Sequence, residues 1–142
     1  MFAPSASPAS SALACPCGRL SPQRKPLALA DCCARYIDHF DSTPAPDAGH
    51  LMRSRYSAFV LQQRDYLLAT WHAPQRPPEL EFEPGARWLG LEVRRHRALD
   101  AAHAEVEFVA RYRVAGRAVR LHENSRFVRE DGRWYYVDGD SR

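Results

Sequence analysis

The sequence lacks long apolar runs and a strong excess of charge of either sign. No segment approaches the roughly 18 consecutive apolar residues that a membrane-spanning helix requires, so we expect no membrane-embedded part. Basic residues number 20 against 17 acidic ones, and this small excess is spread along the chain. Such a balance does not favour a nucleic-acid-binding protein.

The sequence also lacks the short motifs of several enzyme classes. It contains no Gly-rich phosphate-binding loop, no nucleophile elbow and no paired-carboxylate signature. Its six histidines are scattered, without the HxH or HExxH spacing of a metal site. We therefore assign no metal to the histidines and no residue to a catalytic role.

The first 14 residues are rich in Ser, Ala and Pro and contain no Lys or Arg. This composition does not fit a secretion signal, so we expect a disordered leader over residues 1–14 of a cytoplasmic protein. In a reducing compartment, clustered cysteines indicate metal or redox chemistry rather than disulfides. We therefore divide the rest into a cysteine segment over 15–40 and a larger domain over 45–140.

All four cysteines lie in one short segment of the chain. Cys15 and Cys17 can present two thiolates from a tight turn that Gly18 permits, and Cys32 and Cys33 can supply two more. Four thiolates at the corners of a tetrahedron suit zinc, which would fold a module too small to build its own core. Two alternatives remain, a set of buried or free thiols and a redox pair.

The larger domain changes from a helical to a strand period after Gly85. A helix capped by Asp47 is predicted to run to about Gln62, and a second helix covers residues 64–72. Strands follow, joined by two-residue turns at Ala115-Gly116 and Asp131-Gly132. This order predicts an α+β domain whose antiparallel sheet is covered on one face by helices.

Each predicted strand has one apolar face. The inward side chains are Leu89, Leu91 and Val93 in the first strand, and Val106, Phe108, Ala110, Tyr112 and Val114 in the second. In the second helix, Tyr66, Leu67 and Trp71 are predicted to face inward.

Two charged residues fall on these apolar faces. Arg55 lies inside the apolar arc of the first helix, and Glu123 shares its side of the third strand with Ser125 and Phe127. An unpaired buried charge is costly, so each of the two needs a partner. We predict that Arg55 and Glu123 lie close together and pair, with Ser125 as a hydrogen-bond partner.

This pair fits two interpretations. In the first it is a buried polar brace that holds the helix on the sheet. In the second, a pocket between the helices and the sheet is lined by Arg55, Glu123, Tyr56, Trp71 and His72. His72 stands at the predicted end of the second helix, where it can serve as a general acid or base or cap the last carbonyl groups; capping is the favoured interpretation.

An ordered series of motifs resembles the YchJ family of bacterial proteins. The motifs are CPCG, CC, HLMRSRYSAFV, DYLLATWH, WLGLEV, FVARY, HENSRF and DGRWYYVDG, and they extend from Cys15 to Gly139. The resemblance implies an N-terminal SEC-C-type zinc knuckle with ligands Cys15, Cys17, Cys32 and Cys33. It further implies a nuclear transport factor 2-like domain, a cone of curved antiparallel sheet and helices that encloses a pocket.

One feature departs from the family pattern. Fourteen residues separate Cys17 from Cys32, more than the family usually has. A longer loop costs little additional entropy, so the site can persist.

These observations favour a zinc-binding, non-enzymatic protein. It would contact a protein partner through the cysteine segment or hold a small ligand in the pocket. The alternative is an enzyme that uses the pocket for isomerase, dehydratase or hydrolase chemistry, and the fold does not decide between the two. Because sheets of this class often pair, we also consider a homodimer.

Overall fold

A computed structural model describes residues 13–142. The α-helices are α1 (Ala34–Ile37), α2 (Ala48–Val60) and α3 (Arg64–Ala69), with 3₁₀ turns at Leu29–Asp31 and Ala73–Gln75. Strands β1 (Arg87–Asp100), β2 (His103–Val114), β3 (Arg117–Glu130) and β4 (Arg133–Ser141) form one antiparallel sheet in the order β1-β2-β3-β4. The predicted α+β architecture is confirmed.

The predicted leader over residues 1–14 lies outside the described residues, apart from Leu13 and Ala14. Within residues 13–142, no helix combines the length and the apolar character needed to cross a membrane.

Both predicted two-residue turns join strands of the sheet. Ala115 and Gly116 have φ values of 52° and 75°, and Asp131 and Gly132 have 51° and 78°. Positive φ at both central residues is typical of a type I′ turn, whose twist matches that of the flanking strands. These turns fix the β2–β3 and β3–β4 registers, which pair without interruption beside each turn.

Strand β1 departs from its predicted apolar face at Leu89. The pairing with β2 shifts register after Trp88, so that Leu89 has no partner and its side chain is 50% exposed. Because this extra residue forms a β-bulge, Trp88 takes the inward place opposite Tyr112. The inward position predicted for Leu89 is therefore wrong, whereas Leu91 packs on the core as predicted.

Helix α2 is buried on two opposite sides. Its start is confirmed, since the Asp47 side chain accepts a hydrogen bond of 2.8 Å from the His50 N–H. One side packs on β1, β2 and β4. On the other side Ser54 and Ser57 are fully buried, because α3 and the cysteine segment cover them. This helix is the layer between the cysteine segment and the sheet.

Helix α3 ends at Ala69, three residues before its predicted end. Tyr66 and Leu67 are buried as predicted. The chain then turns extended, because the His72 N–H donates to the Tyr136 carbonyl at 2.7 Å and the Tyr136 N–H donates to the Thr70 carbonyl at 2.8 Å. These bonds attach the segment after α3 to strand β4.

Candidate metal centre and cavity

The four cysteines converge on one point. Their Sγ atoms all lie within 4.8 Å of one another, and each cysteine is buried. The Sγ atoms of Cys15 and Cys17 are 3.6 Å apart, and those of Cys17 and Cys32 are 3.7 Å apart. A tetrahedral zinc ion with Zn–S bonds of about 2.3 Å would separate its sulfurs by about 3.8 Å. The cluster therefore has the size and donor set of a four-thiolate metal site.

The long insert between Cys17 and Cys32 folds back on itself. Leu20 bridges Pro26, Ala14 bridges Ala28, and the Cys15 N–H donates to the Leu27 carbonyl at 2.8 Å. This returning loop brings Cys32 and Cys33 beside the first two thiols. The departure from the family spacing therefore leaves the cluster intact.

The thiols in this cluster compete for protons. Hydrogen bonds from Cys17, Cys32 and Cys33 hold the pKa of Cys15 far below its ordinary value. The corresponding bonds to Cys15, Cys17 and Cys32, together with burial, raise the pKa of Cys33. Four buried thiols cannot all lose their protons and become thiolates without positive charge nearby. A divalent cation would supply that charge and release the protons.

Arginines surround the cluster. A hydrogen bond to Cys32 raises the pKa of Arg19, and the Arg35 Nε donates to the Cys32 carbonyl at 2.9 Å. The Arg53 Nη1 donates to the Cys17 carbonyl at 3.1 Å. Four thiolates around a divalent ion carry a net charge of about −2, which these guanidinium groups partly offset.

The cluster docks directly on helix α2. Cys15 Sγ lies 3.5 Å from Ser57 Oγ, and the Arg53 bond ties the same helix to the turn at Cys17. The opposite side of α2 faces the sheet. The cysteine cluster and the inner face of the domain therefore lie on opposite sides of one helix.

A cavity of about 370 Å³ lies between α2, the segment after α3 and the inner face of the sheet. Three exposed polar residues, Gln62, Glu81 and Glu83, stand at its mouth. Arg55, Glu123 and Ser125 supply polar groups deeper in. Its aromatic lining comprises Tyr56, Phe59, Trp71, Phe82, Trp88, Phe108, Tyr112, Phe127 and Tyr136.

Arg55 is the buried charge of this cavity, with only 5% of its surface exposed. Its Nη1 donates to the Leu67 carbonyl at 2.8 Å and to Thr70 Oγ1 at 2.7 Å. The guanidinium carbon lies 4.6 Å from the Tyr136 ring centre and 5.2 Å from that of Trp71. Burial lowers the pKa of Arg55 to about 10, so the side chain stays charged at neutral pH.

The predicted direct pair between Arg55 and Glu123 is wrong. Both residues line the cavity, and the charge of Glu123 favours the charged form of Arg55. However, Arg55 forms its short contacts with the last turn of α3 and with two aromatic rings instead. The carbonyl of Leu67 is available because α3 ends at Ala69, and the Trp71 N–H donates to the Leu68 carbonyl instead of to that of Leu67.

Glu123 is held by its own strand and by β4. It accepts a hydrogen bond of 2.6 Å from Ser125 Oγ, which confirms Ser125 as its partner. Its carboxyl group lies against Gly139, where an added Cβ would stand 2.6 Å from Glu123 Cδ. Burial, and then the charge of Glu123, raise the pKa of Tyr136 to about 12.

His72 lies outside the cavity, so its predicted place there is wrong. Its Nε2 is 2.8 Å from Glu130 Oε2, and its Nδ1 is 3.0 Å from Gln75 Oε1. The hydrogen bond to Glu130 raises the pKa of His72. Nor does His72 cap the last carbonyl groups of α3, because that helix ends at Ala69; His72 instead precedes the 3₁₀ turn at Ala73–Gln75 and makes no side-chain capping bond there. Tyr56, Trp71 and Glu123 do line the cavity as predicted.

Sequence reasoning missed two residues of the site, Thr70 and Tyr136. Thr70 was placed inside a continuous helix, where its hydroxyl has no evident use. Tyr136 lies on β4, where the strand pattern predicts no more than packing, yet its ring covers the Arg55 guanidinium. A signal was available for the tyrosine, because aromatic faces attract buried guanidinium groups.

The fold and the two sites define the class of the protein. It is a nuclear transport factor 2-like domain preceded by a four-cysteine segment that has the composition of a metal site. Residues 47–139 match the family model described as "YchJ, middle NTF2-like domain". The chain belongs to the YchJ family.

Relatives and solved structures agree with this assignment. A UPF0225 protein of Polaromonas sp. (strain JS666) is 70% identical over 129 residues, covering 90% of this chain and 93% of the relative. A second UPF0225 protein, from Bordetella parapertussis, is 59% identical over 138 residues, covering 95% and 98%.

Two solved structures share the fold. The crystal structure of a SEC-C motif containing protein from Psychrobacter arcticus has a TM-score of 0.76 at 34% identity, covering 92% of this chain and 83% of the other. The solution structure of a SEC-C motif containing protein from Rhodopseudomonas palustris has a TM-score of 0.75 at 29% identity, covering 92% and 99%.

Proposed function

We propose that this chain is a zinc-binding, non-enzymatic protein that holds a small ligand in its cavity. The observation that carries the proposal is the back-to-back arrangement of the two sites on α2. The four thiols pack on one side of the helix, and Arg55 and Tyr56 project from the other side into the cavity. Zinc would fix the helix, and the helix would position the wall of the ligand site.

Zinc is the metal that the donor set supports best. Four thiolates around one ion are typical of structural zinc, which leaves no position open for a substrate. The four thiols are unpaired and buried, which fits a protein that works in the reducing cytoplasm. The metal would therefore serve the fold of the segment and take no part in a reaction.

The cavity has the character of a ligand site. Such sites are concave and mostly apolar, with a few polar groups that converge. Here a largely aromatic lining surrounds Arg55, Glu123 and Ser125. The enzymatic alternative needs a group that transfers protons inside the cavity. Glu123 is the titratable carboxyl group that the cavity offers for this role, whereas His72 does not serve it, because that ring lies on the outside against Glu130.

Contact with a protein partner is the second part of the proposal. In the cysteine segment Leu13 and Leu20 are 54% and 46% exposed, and the same segment exposes the basic residues Arg24 and Lys25. A homodimer has a separate support, since the edge strand β1 exposes Leu89 and Leu99 to 50% each. Sedimentation of the wild type and of Leu89→Ser tests the dimer, which the variant should weaken.

The zinc proposal is tested by the metal content of protein purified without added metal. We expect about one zinc per chain in the wild type and a large loss in Cys32→Ser, since the site would lose one of four ligands. His103→Ser is the control, because it removes an exposed metal-binding side chain that is not part of the cluster. A metal-free wild type with four reactive thiols would contradict the proposal.

A further inference from the structure

The deeper part of the cavity carries two opposite charges that do not bond to each other. Arg55 and Glu123 both line it. The hydrogen bonds of Arg55 run from its Nη1 to Leu67 and Thr70, while Glu123 accepts from Ser125. The cavity therefore offers a hydrogen-bond donor group and an acceptor group at separate places on its wall.

This arrangement discriminates between classes of ligand. An anion gains from Arg55 and is repelled by Glu123, and a cation meets the reverse. For a ligand with a single charge, the attraction by one of these residues and the repulsion by the other therefore largely cancel. A neutral group with a carbonyl oxygen next to an N–H gains from both, because each of its atoms bonds to a charged partner.

The aromatic lining of the cavity and the charged residues at its mouth restrict the class of ligand further. The nine aromatic side chains described above favour a flat aromatic body, which can stack or meet ring edges at each wall. Glu81 and Glu83 at the exposed mouth add negative charge and disfavour an approaching anion.

We propose that the cavity binds a neutral, flat aromatic compound that carries an amide-type edge. Its carbonyl oxygen accepts from Arg55, and its N–H donates to Glu123. Aromatic carboxamides and heteroaromatic lactams belong to this class. This proposal rests on the proposed ligand-binding role of the cavity and specifies its ligand.

The proposal is tested with three probes of one shape and different charge. They are 2-naphthamide, which is neutral, 2-naphthoate, which is an anion, and 2-naphthylmethylamine, which is a cation at neutral pH. Naphthalene itself reports whether the apolar cavity accepts a ring at all. Binding is followed by NMR on the indole N–H signals of Trp71 and Trp88, both of which line the cavity. We expect the amide to bind about tenfold more tightly than either ion.

Two variants convert the preference in opposite directions. In Glu123→Gln, Arg55 has no opposing charge, so the naphthoate should become the tightest probe. In Arg55→Met, Glu123 stands alone and the amine should become the tightest. Glu92→Gln is the matched control, because Glu92 pairs with Arg94 on the outer side of β1. It should leave the order of the probes unchanged. If Arg55→Met does not fold, Glu123→Gln alone decides.

The outcomes separate this proposal from the proposed function. If naphthalene and all three probes bind equally, the charged pair is not used and the amide proposal is overturned, while a ligand-binding cavity stands. Tighter binding of the naphthoate or the amine by the wild type also overturns it. If nothing binds, including naphthalene, and the protein retains its zinc, the ligand-binding role fails as well.

Discussion

The cysteine segment and the sheet domain are stabilised by different interactions. The segment over residues 13–40 has one α-helix of four residues, one 3₁₀ turn and two isolated β-bridges, and its buried centre consists of the four thiols with Leu29 and Tyr36. The domain from residue 47 onward buries aromatic and aliphatic side chains between α2 and a four-stranded sheet. A segment of that size cannot supply a core sufficient for folding, whereas the domain can. The comparison predicts separate sensitivities for the two regions.

Metal removal should have the largest effect, and it should fall on the segment. Structural zinc binds small cysteine modules with an apparent free energy of about 10–16 kcal/mol, which becomes folding free energy. We expect a strong chelator to abolish amide exchange protection in residues 13–40 while β2 and β3 keep theirs. Hydrogen exchange read by mass spectrometry measures this, with zinc-saturated chelator as the control. Loss of protection in both regions together would show that they fold as one unit.

Arg55→Met should have the next largest effect, in the sheet domain alone. The variant leaves the Leu67 carbonyl with only the longer hydrogen bond of 3.3 Å from Thr70 Oγ1, at a cost of about 1–3 kcal/mol, and loses two aromatic contacts. Removal of a desolvated charge offsets part of this loss. We expect a net destabilisation of about 2 kcal/mol in urea unfolding, with the zinc content unchanged.

Double-mutant cycles extend this prediction to the partners of Arg55. The coupling free energy of Arg55→Met with Thr70→Val should exceed that with Glu123→Gln. Arg55 donates a hydrogen bond to Thr70, whereas Glu123 acts on it only by long-range electrostatic attraction. A larger coupling with Glu123 would support the buried brace that the sequence suggested.

Gly139→Ala should destabilise the domain by an intermediate amount. The new methyl group would overlap the carboxyl group of Glu123, and overpacking of this kind costs about 1–3 kcal/mol. Gly90→Ala is the matched control, since a Cβ at Gly90 would meet nothing within 4 Å and should change stability by less than about 0.5 kcal/mol. In a Glu123→Ala background the penalty at residue 139 should largely disappear. An equal effect of the two glycine substitutions would show that the carboxyl group can move aside freely.

Features of the structure that have local causes could be predicted from the sequence, and features that have tertiary causes could not. The Asp47 cap and the two type I′ turns depend on neighbouring residues, so they are readable in the sequence. The cysteine cluster is equally readable, because the residue type itself specifies the chemistry. The bulge at Leu89 inserts one residue into a regular alternation, and alternation alone gives no sign of it.

The hydrogen-bond partner of Arg55 could not be predicted from the sequence, because it depends on tertiary structure. The pattern showed that a charge would be buried, and a carboxylate on the facing strand was the simplest partner. The carbonyl that Arg55 actually bonds becomes free only because α3 stops at Ala69 to join β4. The burial of Ser57 has a similar origin, because it depends on the cysteine segment forming a third layer.

The smallest effect concerns the outer contact between His72 and Glu130. The folded pKa of His72 is raised by this contact, so its stabilisation is fully present below about pH 6.5 and is lost as pH rises through the folded value. Glu130 is 55% exposed, which limits the effect to less than about 1 kcal/mol. Glu130→Gln should therefore reduce stability in urea unfolding at about pH 5.5 and leave it unchanged at about pH 9. Nearby Arg76 opposes the shift, and Gln75 remains as the second partner of the ring. Glu79→Gln, in the exposed loop, is the control, and a pH-independent loss in Glu130→Gln would show that the contact acts by packing rather than by charge.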